Sequence, residues 1–256
     1  MTMNDQKHEN TWVYGVIPAA ADLKELERRR DRLPGDVRVV KSGNLGAIVG
    51  DAPGNDAKAT RDQALAHARV LEMAVLDAPV VPFRFGTVVA DGAVDPELLE
   101  ARHDELTQLL ESIRDDVQMT LKASYRDDVV MREIVEGHPK IAQLREQTRR
   151  GDEVVTRDLR LRLGELVSIV LEQLRQRDAE AILDRLGPFA VASAVQALES
   201  EFMVVNAPFL VERRRMHEFE EAAGMVAEDQ AERMRFTLHG PMPAFDFISG
   251  EQLPWA

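Results

Sequence analysis

Two successive rounds of strand, helix, strand, strand, helix, strand predict an α+β protein built from two tandem ferredoxin-like (βαββαβ) domains, the second enlarged by a helical hairpin insertion. Three observations carry this expectation. Short β-branched runs alternate with segments of helical period throughout the chain; a Gly43-Asn44 turn separates two such runs; and Val117 to Tyr125 alternates apolar and polar residues with period two. The 256 residues suffice for one large or two medium domains. The expected division is a leader over 1–10, an N-terminal ferredoxin-like domain over 11–92, and a C-terminal α+β domain over 93–256 with a helical insertion and a docked tail.

In the first half, Thr11 to Ile17 is rich in β-branched and aromatic residues and stops at Pro18, which predicts a strand. Asp22 is placed to cap a helix over Leu23 to Leu33 that Pro34-Gly35 ends. Val37 to Val40 and Leu45 to Val49 flank Lys41-Ser42-Gly43-Asn44 as a hairpin. Thr60-Arg61-Asp62-Gln63 has the form of a capping box, and Ala64, Ala68, Leu71 and Val75 mark the apolar stripe of a helix running to Asp77. Pro79 to Val89 then reads as one strand closed by Asp91-Gly92.

The second half repeats the order on a larger scale. Asp95-Pro96 starts a helix with Leu99, Leu106, Leu110 and Ile113 on one face, which is expected to join the two halves and to end near Asp115 or Asp116. After the strand Val117 to Tyr125, helix from about Asp128 is broken at His138-Pro139 and at Gly151. Asp152 can cap a final segment carrying Leu159, Leu163, Leu166, Val170 and Leu174, completing a helical hairpin whose stripe is expected to pack in its own domain. Phe189 to Leu198 and Phe202 to Val211 read as strands, Arg214 to Gln230 as a helix, and Arg235 to His239 as a last strand.

Composition excludes several kinds of chemistry. Without cysteine there is no disulfide framework, no thiol nucleophile and no cysteine-ligated metal. The formal charge of −13 opposes polyanion binding, no apolar stretch reaches membrane-spanning length and the start lacks an apolar signal core, so no nucleic-acid or membrane partner and a cytoplasmic location are expected. His8, His67, His103, His138, His217 and His239 form no metal-ligand spacing and read as solvated or structural. The Asp115-Asp116 and Asp127-Asp128 pairs lie at element boundaries, where caps and solvated charge are expected rather than acid–base work. Arg28-Arg29-Arg30 and Arg213-Arg214-Arg215 lack interleaved aromatics and read as solvated helix faces with salt bridges. No catalytic, cofactor-binding or metal residue is therefore assigned, and no cofactor is expected.

Recognition is placed in one segment. In an unbroken strand, Phe83 and Phe85 share one side, and Pro82 and Arg84 the other; Pro82 favours an edge, Gly86 permits close approach of another backbone, and Arg84 needs an acidic partner or water. Val80-Val81-Pro82-Phe83-Arg84-Phe85-Gly86-Thr87-Val88 resembles the signature of the gas vesicle protein F/L family (GvpF/GvpL). Trp12 to Val16, Val117 to Tyr125, Asn206-Ala207-Pro208-Phe209-Leu210-Val211 and Gly240 to Phe247 resemble further landmarks in the same order. The terminal landmark departs from the family's aromatic pattern at Met242 and Ala244.

The resemblance implies a non-enzymatic accessory protein of gas vesicle assembly whose partner is the small, very hydrophobic shell protein (GvpA type), with other gas vesicle accessory proteins as further partners. It places partner binding at Pro82, Phe83, Arg84, Phe85, Gly86 and Thr87 and association with gas vesicles in the cytoplasm. The Gly240 to Phe247 tail is expected to dock on the second domain. The alternative reading of the same fold is a small-ligand-binding regulatory protein.

Overall fold

The computed structural model describes residues 10–29, 31, 33, 36–52, 60–90, 92–150 and 157–248. The leader before Asn10, the Pro34-Gly35 stop, Asp91 and the Gly151-Asp152 break lie outside the described residues. The fold is mixed α+β with two antiparallel sheets, and the chain divides into two compact units.

The first unit comprises residues 1–119, 210–214 and 240–256. Its five strands are β1 (Asn10–Pro18), β2 (Arg38–Ser42), β3 (Leu45–Asp51), β4 (Val81–Pro82) and β5 (Val88–Ala90), in the order β2-β3-β1-β4 with β5 also paired to β1. The β2–β3 hairpin forms at the expected turn. Helix α1 (Lys24–Arg28) is shorter than its sequence suggests, whereas α2 (Arg61–Asp77) starts at the expected capping box: the Gln63 amide donates to Thr60 Oγ1 at 3.2 Å and the Thr60 amide to Gln63 Oε1 at 2.9 Å.

β1 is buried from Thr11 to Ile17, because helices cover both of its faces. Leu71 of α2 meets β1 on one side. On the other, Val13, Val16, Ala47, Val49 and Val81 share a core with Leu98, Leu99, Leu106, Leu110 and Ile113. This second layer is a π-helical segment, Val94–Glu100, followed by α3 (His103–Ser112). The helix expected to join the two halves thus spends its apolar face on the N-terminal sheet. Ala244 and Ile248 of the tail enter the same core, and Gln118 grips the tail by donating to Asp246 Oδ2 at 2.6 Å and accepting from the Asp246 amide at 3.0 Å. The tail is therefore part of the first unit, contrary to the expected docking on the second. The compact unit also exceeds the expected span of 11–92, since the sheet's second apolar face needs these later residues to cover it.

The second unit comprises residues 120–209 and 215–239. A four-stranded sheet is ordered β7-β8-β6-β9, with β6 (Asp116–Tyr125), β7 (Ala192–Ser193), β8 (Met203–Glu212) and β9 (Met234–Met242). The strand expected over Phe189 to Leu198 shrinks to two residues. Beyond them, the Ala194 and Gln196 amides donate to β8, at the Pro208 and Asn206 carbonyls. Helices α4 (Asp127–Gly137), α5 (Pro139–Arg150) and α6 (Arg157–Leu186) form the helical insertion; α7 (Met216–Asp229) buries Phe219, whose ring lies 5.1 Å from that of Phe209.

One buried polar cluster holds the second unit. Tyr125 donates from its hydroxyl to Asp178 Oδ2 at 2.6 Å; Arg233 donates to the same oxygen at 2.5 Å and, through Nε, to Glu133 Oε2 at 2.6 Å. Arg177 donates to the other Asp178 oxygen, and the Arg233 guanidinium lies 5.0 Å over the Tyr125 ring. Burial pushes the Asp178 carboxyl up, but its hydrogen bonds from Tyr125, Arg233 and Arg177 together outweigh that and hold it below the usual carboxylate range.

Candidate functional site

The segment Pro82 to Thr87 breaks the sheet's edge instead of extending it. Val81 and Pro82 pair with Val16 and Gly15, and the Phe83 amide still donates to the Tyr14 carbonyl at 2.8 Å. The chain then turns. Both the Thr87 amide and the Thr87 hydroxyl donate to the Arg84 carbonyl, at 3.1 and 2.8 Å, and Gly86 adopts a φ of +91° that disfavours any residue with a Cβ. Pairing resumes at Val88, opposite Trp12.

The turn replaces the expected alternation. Phe83 is buried in the core with Val13 and Val81, while Phe85 packs 5.1 Å from Trp12 and 5.8 Å from His67 in a separate aromatic group. The two phenylalanines therefore have different partners, and the expectation that they share one side is corrected. A second irregularity, in β1, fits this arrangement: the register with β3 shifts between Val13 and Gly15, leaving Tyr14 as an extra residue. A Cβ on Gly15 would lie 2.8 Å from the Val81 carbonyl oxygen, so only glycine lets β4 approach there.

The aromatic group is Trp12, Tyr14, His67 and Phe85. Trp12 stacks on Tyr14 at 6.1 Å, and Tyr14 lies 5.1 Å from His67. His67 is 4% exposed and donates from Nε2 to the Phe83 carbonyl at 2.9 Å, which assigns the proton to Nε2. Burial lowers the imidazole's pKa, opposed by that hydrogen bond, so the ring is neutral. This histidine is structural, as expected. Nothing in single-sequence spacing connects Trp12, His67 and Phe85; only the sheet register and the docking of α2 bring them together.

Arg84 is the charged residue of the segment. Its side chain is exposed, which meets the alternative of water stated from sequence, and Val88 is 43% exposed at the start of β5. Pro82, Phe83, Phe85, Gly86 and Thr87 all have packing or turn roles. Arg84, Val88 and the outer edge of β5 form the accessible surface of this segment.

Arg213 departs from its expected role as part of a solvated run. It donates to the carbonyls of Val75 and Ala78, at 2.5 and 3.0 Å, satisfying the end of α2, and its amide donates to the Asp115 carbonyl. Burial raises the Asp116 carboxyl's pKa, reinforced by Glu212 and Asp115 and opposed by Arg213. Among the described residues no group of three or more His, Asp or Glu side chains is placed to hold a metal, and no helix is long and apolar enough to cross a membrane.

Comparison with known proteins matches residues 10–249 to the family model described as gas vesicle synthesis protein GvpL/GvpF. The chain is 30% identical over 241 residues to gas vesicle protein F of Streptomyces sp. (strain CB03234), covering 93% of this chain and 99% of that one. It is 25% identical over 240 residues to gas vesicle protein F of Dolichospermum flosaquae, covering 92% and 96%. Its fold is similar to the crystal structure of GvpF from Anabaena sp. PCC7120, with a TM-score of 0.75 at 18% identity over 94% of this chain and 99% of that chain. The GvpF structure from Microcystis aeruginosa gives 0.71 at 17% identity over 94% and 100%.

Proposed function

The chain belongs to the GvpL/GvpF family of gas vesicle synthesis proteins and has a role in gas vesicle formation, and from that premise we propose that it is a non-enzymatic assembly factor that binds the hydrophobic shell protein and assists nucleation of the vesicle. The observation that carries this reading is the family match along nearly the whole described chain. A shell subunit awaiting incorporation needs its apolar surface and strand edges covered, and a protein with an unpaired sheet edge meets that need by strand addition. Among the described residues β5 pairs only with β1, so its outer edge supports this role, with Arg84 and Val88 beside it. Pro82, Phe83, Phe85, Gly86 and Thr87 contribute by holding the turn in shape.

On this reading the protein acts in the cytoplasm at gas vesicles, needs no cofactor, and has other accessory proteins rather than nucleic acid or membrane as further partners. We also read each half as ferredoxin-like, since strand order 2-3-1-4 recurs in both sheets. The first half adds a second helical layer, and the second adds α4 to α6 after its first strand.

The test is co-expression of the tagged full chain with untagged shell protein, comparing wild type with Arg84→Glu and Val88→Lys. Retention by wild type, weakened in both variants at unchanged melting temperature, supports binding at this edge. Failure of the folded wild type to retain shell protein removes direct binding.

A further inference from the structure

We propose that the outer edge of β7, extended from Val191 to Val195, is the surface through which two copies of this chain pair edge to edge about a two-fold axis. This pairing does not depend on shell-protein binding at β5.

Among the described residues β7 pairs only with β8, so its other side is an open edge of the second unit's sheet. The edge is longer than the two residues of the strand. The Ala194 and Gln196 amides donate to the Pro208 and Asn206 carbonyls at 3.1 and 2.8 Å, and buried Asn206 donates from Nδ2 to the Ala197 carbonyl at 3.0 Å, so the chain stays extended beside β8 as far as Ala197. Amide direction alternates along an extended chain. With Ala194 and Gln196 facing β8, the Val195 N–H and C=O therefore face outward. Exposure alternates in step: Ser193, Val195 and Ala197 are exposed, whereas Ala194, Gln196 and Leu198 are half-buried.

Lysine, proline and inward-pointing charge are the usual protections of a sheet edge. From Phe189 to Leu198 there is neither proline nor any Asp, Glu, Lys or Arg, in a chain of which 30% is charged. Val191 and Val195 are 57% and 68% exposed on it. Copies of a chain with net charge −13 repel one another over most of their surface, so an uncharged edge is where they can approach.

The residues themselves select the occupant. Val191-Ala192-Ser193-Ala194-Val195 reads the same in both directions. Two strands related by a two-fold axis between them run antiparallel, and each contact of residue i with residue j is repeated as j with i. With the axis at Ser193, the two Ser193 residues face each other, each Ala192 faces an Ala194, and each Val191 faces a Val195. The edge is thus matched in size and polarity by its own copy at every position. Pairing joins two four-stranded sheets into one of eight strands. Five residues per copy bury less than the roughly 1,200–2,000 Å² of a stable interface, so the dimer is weak and concentration-dependent.

The test is sedimentation equilibrium of the full chain, without shell protein, over about 5–500 μM. The average mass of wild type is expected to rise from monomer toward dimer across this range. Val195→Lys, at an exposed position, is expected to weaken dimerisation at least about tenfold at an unchanged melting temperature. A second measurement reads the register. The chain has no cysteine, so a disulfide in a single-cysteine variant joins two copies. Ser193→Cys puts the two thiols at the axis, on Cα atoms about 4.5–5.5 Å apart, and is expected to cross-link under mild oxidation. Val195→Cys, whose two copies lie about four residues apart along the strands, is expected not to link. A wild type that stays monomeric over the whole range overturns the proposal, and if its retention of shell protein then falls in Val195→Lys, the edge belongs to a shell-protein strand instead. A dimer unaffected by Val195→Lys, or one in which Ser193→Cys links no faster than Val195→Cys, also overturns it. Dimerisation is read without shell protein and without changing Arg84 or Val88, so its failure and that of binding at β5 are distinguishable.

Discussion

His67 of α2 donates from Nε2 to the backbone carbonyl of Phe83, 2.9 Å away, at the residue where the sheet's edge leaves its pairing and turns. One side chain thereby ties the first unit's main helix to the segment that distinguishes the sequence. Its Nδ1 is buried with no hydrogen-bond partner among the described residues, so protonating the ring inside the fold would bury an uncompensated charge.

This histidine makes the first unit pH-sensitive. Its folded pKa lies below the ordinary value of about 6.5, so the unfolded chain takes up the proton first. Its contribution is full above pH of about 6.5 and declines as pH falls from there toward the folded pKa. Denaturant midpoints measured from pH 8 to pH 5 should fall in wild type and fall less in His67→Phe. Losing the bond to Phe83 should cost that variant about 1–3 kcal/mol at pH 8.

The Tyr125–Asp178–Arg233 cluster responds at more acidic pH than His67 does. Asp178 has a lowered pKa, so its stabilisation is present above the unfolded carboxylate value of about 3.9 and is lost as pH falls through the folded value. Tyr125→Phe leaves a buried carboxylate short of one donor and should destabilise the protein by about 1–3 kcal/mol at pH 7, with a smaller penalty in acid. Chemical denaturation at pH 7 and pH 3 distinguishes this from a simple packing loss, which would be independent of pH.

Arg213 works through its geometry. Replacing it with lysine keeps the charge but cannot reproduce two donors aimed at the Val75 and Ala78 carbonyls. Arg213→Lys should lose about 1 kcal/mol and Arg213→Ala about 2 kcal/mol, measured by thermal or denaturant unfolding. Equal stability of all three proteins would refute a capping role.

Gly15 and Gly86 should respond differently to alanine. Gly86 has open space around it but a positive φ, so Gly86→Ala pays only backbone strain of about 1–2 kcal/mol. Gly15→Ala drives a methyl into the Val81 carbonyl and the Val80 side chain, both under 3 Å, and should cost about 1–3 kcal/mol. Hydrogen exchange should show loss of protection at the Phe83 amide in Gly15→Ala, because β4 is displaced.

Much of the local structure was legible. The Thr60–Gln63 capping box and the Gly43-Asn44 turn each depend on residues a few positions apart, and each forms; β6 forms as well, but its alternation holds only from Leu121 to Tyr125, because Gln118 and Thr120 are buried along with their apolar neighbours. The same reasoning extended Pro79 to Val89 into one strand, because composition cannot register a turn closed by Thr87 on the Arg84 carbonyl. Phe189 to Leu198 was equally ambiguous, its small residues offering no strong period.

The sequence by itself determined the element order, the helical and strand periods, the family resemblance and the acidic charge, since near neighbours and composition specify all of these. Only the tertiary structure decided which elements complete which core. Arg213 reaches Val75 across 138 residues, Gln118 holds Asp246 across 128, and Arg233 meets Asp178 across 55. Such pairs have no mark in local spacing. They exist because a sheet buried on both faces must find a second helical layer, and buried charges must find partners, wherever in the chain those lie.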